Sequence, residues 1–442
     1  MKVLHLSTAD GNGGAARGAY WMHTALRQAG VDSWMLVAEK YTSDPTVIGP
    51  TGITGSQKVL NGIRQTVEYW PLKRYKNKKS GAFSVAIYPS KIAEQVEAID
   101  PDVINLHWVA GGLLRPEDLS KFQQTRPRPL VWTLRDMWAF TGGCHYAKDC
   151  LAYQTSCGQC PVLGSTKSHD LAYRGWRRKQ AAWQDLDMTI VPLSEWLADC
   201  ARQSSLFAHR QIQVISNAVD TEKYRPIDPV IARRLLNLPQ HKKLILFGAF
   251  SPTADARKGF SYLRTALHHL AAQPHHEQLE AVIFGTDKPA QDLNLKLPTT
   301  FLGRLYDDTM LALAYAAADV MVIPSIQDAF GKTCIEAMAC GTPVVAFDST
   351  GLKDSVVHKY NGYRAACFDA VDLANGIAWV LDDDIALRAH DSAEGAASLA
   401  ANRWQTLSQN ARQTVEAKFT LAHQAEQYKR LYQQLLSAQA AS

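Results

Sequence analysis

Short runs of branched apolar residues recur along this chain, and helical stretches separate most of them. The chain opens with an apolar strand over 2–6, a glycine-rich loop, a helix over about 15–28 and a second strand over 31–37. Short strands that are apolar throughout, each followed by a helix, are typical of parallel sheets with helices on both faces. The pattern therefore predicts an α/β, doubly wound fold.

The strand candidates form two series. The first series continues over 103–107, 129–134 and 188–192, and the second runs over 244–248, 281–285, 300–303, 320–324 and 343–346. We predict two Rossmann-like domains that face each other across a cleft, over 1–215 and 216–405, and a helical segment over 406–442 that packs back across them. Ligands of open α/β sheets bind at the carboxyl ends of the strands, so the loops after the strands should carry the chemistry.

Charge and composition exclude several classes of protein. The chain has 47 Lys and Arg against 42 Asp and Glu, and a net charge of +5 on 442 residues does not indicate a nucleic-acid binder. It contains no apolar run of about 18 residues, the length that a membrane span needs. Asp10 also comes too early for a signal peptide. We therefore expect a cytoplasmic protein, with contact to the inner face of the membrane as a further hypothesis.

The most informative segment, over 324–346, contains two carboxylates eight positions apart. Asp328 lies on a loop that follows a strand, and Glu336 lies about one turn into the next helix. Gly331 would present backbone N–H groups at the start of that helix, where anions bind. We expect one carboxylate to face a sugar and the other a ribose, since both accept hydrogen bonds from hydroxyl groups.

This segment resembles the donor site of the family-4 glycosyltransferases, the retaining enzymes of the GT-B fold. The family pattern has two acidic residues eight apart, phenylalanine and glycine after the first, here Phe330 and Gly331, and a helix that reads E-A-M-A-x-G-x-P-V-V-A. Asp328 stands where the family more often has Glu. The resemblance implies a GT-B fold, a nucleotide diphosphate sugar as donor, and catalysis that requires no cofactor or metal.

A second match lies in the loop after the strand over 244–248. Lys258 fits the family's lysine that binds the donor diphosphate, whereas Ala249 or Phe250 stands in place of the family's arginine. Arg257 is our candidate to replace it, because the guanidinium fork suits phosphate. The alternative for both cations is a solvated basic helix start.

The resemblance assigns further donor-site loops. Gly285 and the backbone around Leu305 would border the nucleobase, and Arg304 would either reach phosphate or face solvent. In the first loop, Gly13 and Gly14 lack the spacing of a dinucleotide fingerprint. The resemblance implies that the backbone of this loop approaches the diphosphate and the transferred sugar. Arg17, in the helix that follows, would bind phosphate or the acceptor.

Polar residues also follow two strands of the first domain. The family commonly has a histidine that contacts the donor sugar where this chain has Arg135, which we place on the acceptor side, while His107 follows the neighbouring strand. Asp136 is a candidate to hydrogen-bond the acceptor or to hold Arg135. The predicted catalytic set is therefore Asp328, Glu336, Lys258, Asp136 and His107, with a satisfied strand-end histidine as the alternative for His107.

The stretch over 136–146 is similar to a subgroup of the family that builds exopolysaccharide, capsule or O-antigen. Four cysteines occur in and after it, spaced C-x5-C-x6-C-x2-C: Cys144, Cys150, Cys157 and Cys160. The last pair resembles a zinc knuckle, and His145 is a further candidate ligand. A structural metal, free thiols and a disulfide formed on oxidation all remain open.

Two stretches, over 69–79 and 173–179, mix Lys and Arg with aromatic residues. Such mixtures suit an anionic membrane surface or a lipid diphosphate, and solvated helix faces are the alternative.

The leading hypothesis is a retaining glycosyltransferase that moves a sugar from a UDP- or GDP-linked donor to a glycan or lipid-linked glycan in surface polysaccharide synthesis. The leaving diphosphate would accept the acceptor's proton, as proposed for the family. The alternatives are a nucleotide-sugar epimerase or phosphorylase of the same fold and a glycan-binding protein without catalysis. A dinucleotide-dependent oxidoreductase would need the G-x-G-x-x-G turn that the first loop lacks.

Overall fold

The computed structural model describes residues 1–50, 55–79, 81–124, 126–249, 252–385 and 394–441. The chain divides into two compact units, one formed by Met1–Asn217 with Ala422–Ser442 and the other by Ala218–Leu421. The polypeptide therefore passes from the first unit to the second after Asn217 and returns after Leu421.

The first unit is built on a six-stranded sheet in the order β3-β2-β1-β4-β5-β6, with parallel pairing between neighbours. All residues of β4 and β5 are buried, as expected for central strands covered on both faces, and all residues of the edge strand β6 are buried as well. The strands are β1 Lys2–Ala9, β2 Asp32–Glu39, β3 Val47–Ile48, β4 Val103–Leu106, β5 Leu130–Leu134 and β6 Thr189–Pro192. The helices are α1 Gly14–Gln28, α2 Gly55–Tyr69, α3 Ile92–Ile99, α4 Leu171–Trp183 and α5 Glu195–Gln203.

The second unit repeats this plan, with a parallel sheet in the order β12-β11-β10-β7-β8-β9. Its core joins the sheet to the apolar faces of two helices, which contribute residues such as Leu263, Leu267 and Ile377. The strands are β7 Lys243–Gly248, β8 Leu279–Phe284, β9 Thr299–Gly303, β10 Val320–Ile323, β11 Val344–Phe347 and β12 Gly362–Ala365. The helices are α6 Pro229–Leu235, α7 Phe260–Ala271, α8 Asp308–Ala317, α9 Lys332–Ala339, α10 Ala370–Ile385 and α11 Glu394–Lys418.

The last helix, α12 (Leu421–Ala441), returns to the first unit and buries Tyr428 and Tyr432 there. The Tyr432 hydroxyl lies 2.6 Å from Nδ2 of Asn105 on β4, and the Tyr428 hydroxyl lies 2.9 Å from Oγ1 of Thr133 on β5. Among the described residues, no helix combines the length and the apolar character needed to cross a bilayer.

The predicted α/β class with two parallel sheets is confirmed. Two strands were not predicted: β3 has only two residues, and β12 includes two half-buried polar or aromatic side chains rather than an apolar run. The C-terminal tail, expected to end the chain as helix, contains two helices that are separated at Phe419 and Thr420.

Candidate functional site

The predicted phosphate-binding lysine and the predicted sugar-binding aspartate meet in the second unit. Lys258 Nζ lies 2.6 Å from Asp328 Oδ2, and the two side chains are 20% and 15% exposed. Burial alone would raise the pKa of Asp328, but the charges of Lys258 and Arg257 and a hydrogen bond from the Gly331 N–H hold it below its usual range. Asp328 is therefore ionised, and it carries a cation at its exposed edge.

The backbone around Lys258 explains this placement. Asp255 caps the short turn before it by accepting from the Arg257 N–H, and Gly259 follows in the left-handed region at φ 70°. A Cβ on Gly259 would lie 1.7 Å from the carbonyl oxygen of Pro324, so only glycine lets this loop approach the end of β10. The Ile326 N–H donates to the Arg257 carbonyl at 2.7 Å and ties the two loops together.

Arg257, the candidate replacement for the missing arginine, is paired within the loop. Its guanidinium donates to Asp255 Oδ2 at 2.6 Å and to the Gln327 carbonyl at 3.1 Å. These contacts hold the loop that carries Asp328, so Arg257 supports the site whether or not it also contacts phosphate. Phe250, the alternative position for that arginine, lies outside the described residues.

Glu336 lies on α9 and is 2% exposed. Its Oε2 accepts from the Tyr315 hydroxyl at 2.8 Å, and its Oε1 lies 3.1 Å from Lys332 Nζ, one turn earlier on the helix. Gly331 caps α9 in the left-handed region at φ 79°, where a Cβ would lie 2.3 Å from Leu352. The two predicted carboxylates are thus held by different cations, Asp328 by Lys258 and Glu336 by Lys332.

The remaining donor-side residues occupy different environments. Gly285 has φ 89° and its N–H donates to the Gly303 carbonyl at 2.7 Å. Arg304 is exposed and Leu305 is half-buried in the loop after β9. The Phe330 ring is buried and packs edge-on against Phe419, so this side chain belongs to the core of the unit.

In the first unit, the glycine-rich loop opens α1 as predicted. Gly13 is the N-cap residue at φ 87°, and a Cβ on Gly13 or Gly14 would meet no other atom within 4 Å. The Arg17 guanidinium lies over the Trp21 ring at 5.2 Å. No acidic residue occupies the first turn of α1, so the positive end of the helix dipole is uncompensated there.

His107 and Arg135 are joined at the carboxyl ends of β4 and β5. Both are buried, and an Arg135 Nη donates to His107 Nδ1 at 3.2 Å. The other Arg135 Nη donates to Oδ1 of Asn217, at 2.5 Å, and His107 Nε2 lies 3.0 Å from His5 Nδ1. His107 and Arg135 line a pocket together with Trp108, Asp136 and Trp138.

Asp136 does not pair with Arg135 in the structure. Its Oδ2 lies 2.6 Å from Nδ1 of His145 and accepts from the Trp108 indole at 2.9 Å. Its Oδ1 accepts from the Trp138 N–H at 2.8 Å. Of the two predicted roles of Asp136, holding Arg135 is therefore wrong, and contact with the acceptor stays a prediction.

The four clustered cysteines line one small, mostly apolar cavity beside α4. All four are free thiols, and the Gly142 N–H donates to Cys157 Sγ at 3.1 Å. Burial raises the pKa of Cys144, Cys157 and Cys160, to about 11 for Cys157. Within the described part of the chain, no three His, Cys, Asp or Glu side chains are placed to hold a metal ion. A structural metal here stays a hypothesis.

Several residues in these two sites were missed by sequence reasoning. Lys332 stands four positions before Glu336, the spacing of an ion pair on one helix face, and this signal was available. His5 and Tyr315 are 102 and 21 positions from their partners, and only the fold brings them together. His145 was considered only as a metal ligand, and the structure places it beside Asp136.

Comparison with known proteins identifies a family for part of the chain. Residues 232–397 match the family described as glycosyl transferases group 1. This stretch lies within the second unit. The match confirms the predicted resemblance for this stretch, at the level of that family.

Curated relatives include two D-inositol 3-phosphate glycosyltransferases. The enzyme from Catenulispora acidiphila is 32% identical over 185 residues, which cover 39% of this chain and 43% of the relative. That from Corynebacterium aurimucosum is 32% identical over 301 residues, which cover 65% of each chain. The matched stretches thus span less than two thirds of either relative.

Solved structures resemble nearly the whole chain. Sucrose-phosphate synthase from Thermosynechococcus elongatus superposes with a TM-score of 0.66 at 21% identity, covering 99% of this chain and 100% of that one. Anabaena Alr3699/HepE in complex with UDP and glucose gives 0.60 at 17% identity, covering 98% and 99%. At these identities the likeness establishes the fold, which is of the GT-B type.

Proposed function

We propose that this protein is a retaining glycosyltransferase that transfers a sugar from a nucleotide diphosphate donor to a glycan or lipid-linked glycan in surface polysaccharide synthesis. The observation that carries the proposal is the Lys258–Asp328 pair at the start of α9, inside the matched group 1 domain. A UDP-linked donor is favoured over a GDP-linked one, because the HepE structures that share the fold hold UDP and glucose.

In the proposed reaction, Lys258 stabilises the negative charge that develops on the leaving diphosphate. Asp328 and Glu336 accept hydrogen bonds from donor hydroxyl groups and orient the donor. Both carboxylates already lie beside lysines, so they need little reorganisation when the donor binds. No carboxylate of the second unit is assigned as a nucleophile, and the leaving diphosphate takes the acceptor's proton.

The acceptor is proposed to be presented at a membrane surface. Around the end of α2, Ile63, Tyr69 and Trp70 are each about half exposed, and Arg74 and Lys78 lie over the two aromatic rings. Rings at the headgroup level with cations beside them suit an anionic bilayer. The relatives named for D-inositol 3-phosphate support a small phosphorylated acceptor as the second candidate.

The test is release of nucleotide diphosphate when the full chain receives UDP- or GDP-sugars together with bacterial membrane lipids. We expect release with at least one donor, and a loss of at least about a hundredfold in Lys258→Ala and Glu336→Ala. Lys418→Ala, which removes an exposed lysine of α11, is the matched control and should retain activity. Equal turnover in all three variants would show that the donor site is assigned wrongly.

A further inference from the structure

Arg135 is a buried cation whose described partners are all neutral. Its residue is 7% exposed, and its two Nη atoms donate to an amide oxygen of Asn217 and to a ring nitrogen of His107. Its Nε has no hydrogen-bond partner. Among the described residues, no carboxylate lies within ion-pair distance of it, unlike buried Arg128 and Arg233, which have Glu97 and Asp319 as partners.

The neighbouring histidines cannot balance this charge. A guanidinium only donates, so His107 Nδ1 must be the acceptor and its Nε2 must carry the proton that faces His5 Nδ1. Burial, followed by the nearby positive charges, lowers the pKa of both histidines well below the usual value. Burial also lowers the pKa of Arg135, to about 10, so Arg135 remains charged at neutral pH while both histidines are neutral.

Asp136, the next residue, is hydrogen-bonded to other groups and does not pair with Arg135. Its carboxylate accepts from the Trp108 indole and the Trp138 N–H, and it lies 2.6 Å from His145 Nδ1. The positive charge of Arg135 is thus left beside a pocket at the carboxyl edge of the sheet, where ligands of α/β folds bind. A buried charge without a counter-charge is costly, and an anion in this pocket would remove that cost.

Helix α1 also contributes positive potential near Arg135. A Cβ on Gly18 would lie 2.7 Å from an Nη of Arg135, so the guanidinium packs against α1 one turn from its N-terminus. The first turn of α1 has no acidic residue, and its dipole also favours negative charge. A side chain at position 18 would have to displace the guanidinium.

We propose that this pocket of the first unit binds an anionic group of a substrate, a carboxylate or a phosphate ester, with Arg135 as its counter-charge. The inference rests on the proposed function, in which that group belongs either to an acidic donor sugar or to an acidic acceptor. Arg135 then discriminates acidic substrates from their neutral counterparts.

Calorimetry on the full chain with matched pairs of ligands tests this. The pairs are UDP-glucuronate with UDP-glucose, glucuronate with glucose, and glucose 6-phosphate with glucose. We expect the acidic member of at least one pair to bind about tenfold tighter or more, as a charge-assisted hydrogen bond provides. Preference in the UDP pair alone places the anion on the donor, and preference in the free sugars alone places it on the acceptor.

Arg135→Gln should abolish the preference, and Arg202→Gln, on the exposed surface of α5, should leave it unchanged. If Arg135→Gln does not fold, Arg135→Lys provides the test. Lysine keeps the positive charge but lacks the paired donors of the guanidinium, so the preference for the acidic ligand should weaken. Absence of any preference in the wild type, or a preference unchanged in the Arg135 variants, overturns the inference.

The outcomes also separate this inference from the proposed function. Sugar transfer without an Arg135-dependent preference would leave the function standing and refute the inference. An Arg135-dependent preference without any release of nucleotide diphosphate would support the inference and refute the proposed function.

Discussion

Single charges determine much of the electrostatics of the proposed donor site. Asp328 is a partly buried carboxylate whose pKa stays below the usual range because Lys258 and Arg257 outweigh the effect of burial. A carboxylate with a lowered pKa stabilises the folded state above its unfolded pKa, and this contribution is lost as the pH falls through the folded value. Stability of the second unit should therefore depend on pH through this pair.

Lys258→Met removes the cation nearest to Asp328, so the pKa of Asp328 should rise. The ionised carboxylate then stabilises the folded state less at neutral pH, whereas at about pH 3 it is largely protonated and the loss is smaller. We expect the free energy of unfolding to fall by about 1–3 kcal/mol at neutral pH, since the pair is partly exposed, and by less at acid pH. Urea unfolding of both proteins at the two pH values measures this.

Lys258→Arg is the control, because it keeps the charge and should keep most of the stability. A destabilisation by Lys258→Met that is equal at both pH values would show that packing of the lysine stem, not its charge, is what the site loses.

Thiol exposure provides a second prediction at this scale. Cys367 is exposed, while Cys157, Cys160, Cys200, Cys334 and Cys340 are buried. Burial raises the pKa of these buried thiols, and the thiolate is the reactive form. A disulfide reagent should therefore modify Cys367 first, and Cys367→Ser should remove the fast phase.

The same titration after unfolding distinguishes the states of the cysteine cavity. With free thiols, all eight cysteines react in denaturant. A shortfall that a reductant restores indicates a disulfide, and a shortfall that a chelator restores indicates a bound metal.

At the scale of elements, α12 is attached to the sheet of the first unit by two tyrosine hydroxyls. Tyr432→Phe removes the bond to Asn105 and leaves a buried amide without this partner, which should cost about 1–3 kcal/mol. Tyr428→Phe should cost a similar amount through Thr133. Chemical unfolding monitored by circular dichroism measures both. Tyr69→Phe, at the exposed end of α2, is the matched control, and an equal loss there would contradict the assignment.

Elements that are specified by their own composition could be predicted from the sequence, and elements that are specified by distant contacts could not. Strands such as β4 and β10 are apolar throughout because they are buried on both faces, so local composition suffices to find them. β12 is specified by its pairing with β11, and its own residues give no such signal. The loop that holds Lys258 beside Asp328 depends on Gly259 and its approach to Pro324, contacts 65 or more positions apart that spacing alone does not reveal.

In the candidate sites, too, residues within local motifs could be predicted and contacts between distant residues could not. Motifs identified Lys258, Asp328 and Glu336, since Lys258 lies in one strand–loop–helix segment and both carboxylates lie in another. The environment of Arg135 could not be predicted, because its partners come from β4 and from the crossing between the units at Asn217. The neutral state of His107 likewise follows from burial beside that cation.

At the scale of the whole molecule, the small net charge of +5 is less informative than its distribution. Lys73, Arg74, Lys76, Lys78 and Lys79 follow the exposed rings of Tyr69 and Trp70 in one short stretch. A cluster of this kind attracts anionic lipid with about 1 kcal/mol for each basic residue near the surface, while the rings insert at the headgroup level.

We expect the full chain to sediment with vesicles that contain phosphatidylglycerol, and to do so far less with pure phosphatidylcholine. Added salt should release it, because a Debye length of about 10 Å at 0.1 M shrinks to about 3 Å at 1 M. Trp70→Ala combined with Lys73→Ala and Lys76→Ala should abolish sedimentation. Replacing Tyr306, an exposed aromatic residue of the second unit, by Ala should not. Sedimentation that neither salt nor the triple variant reduces would locate membrane contact, if any, on another surface.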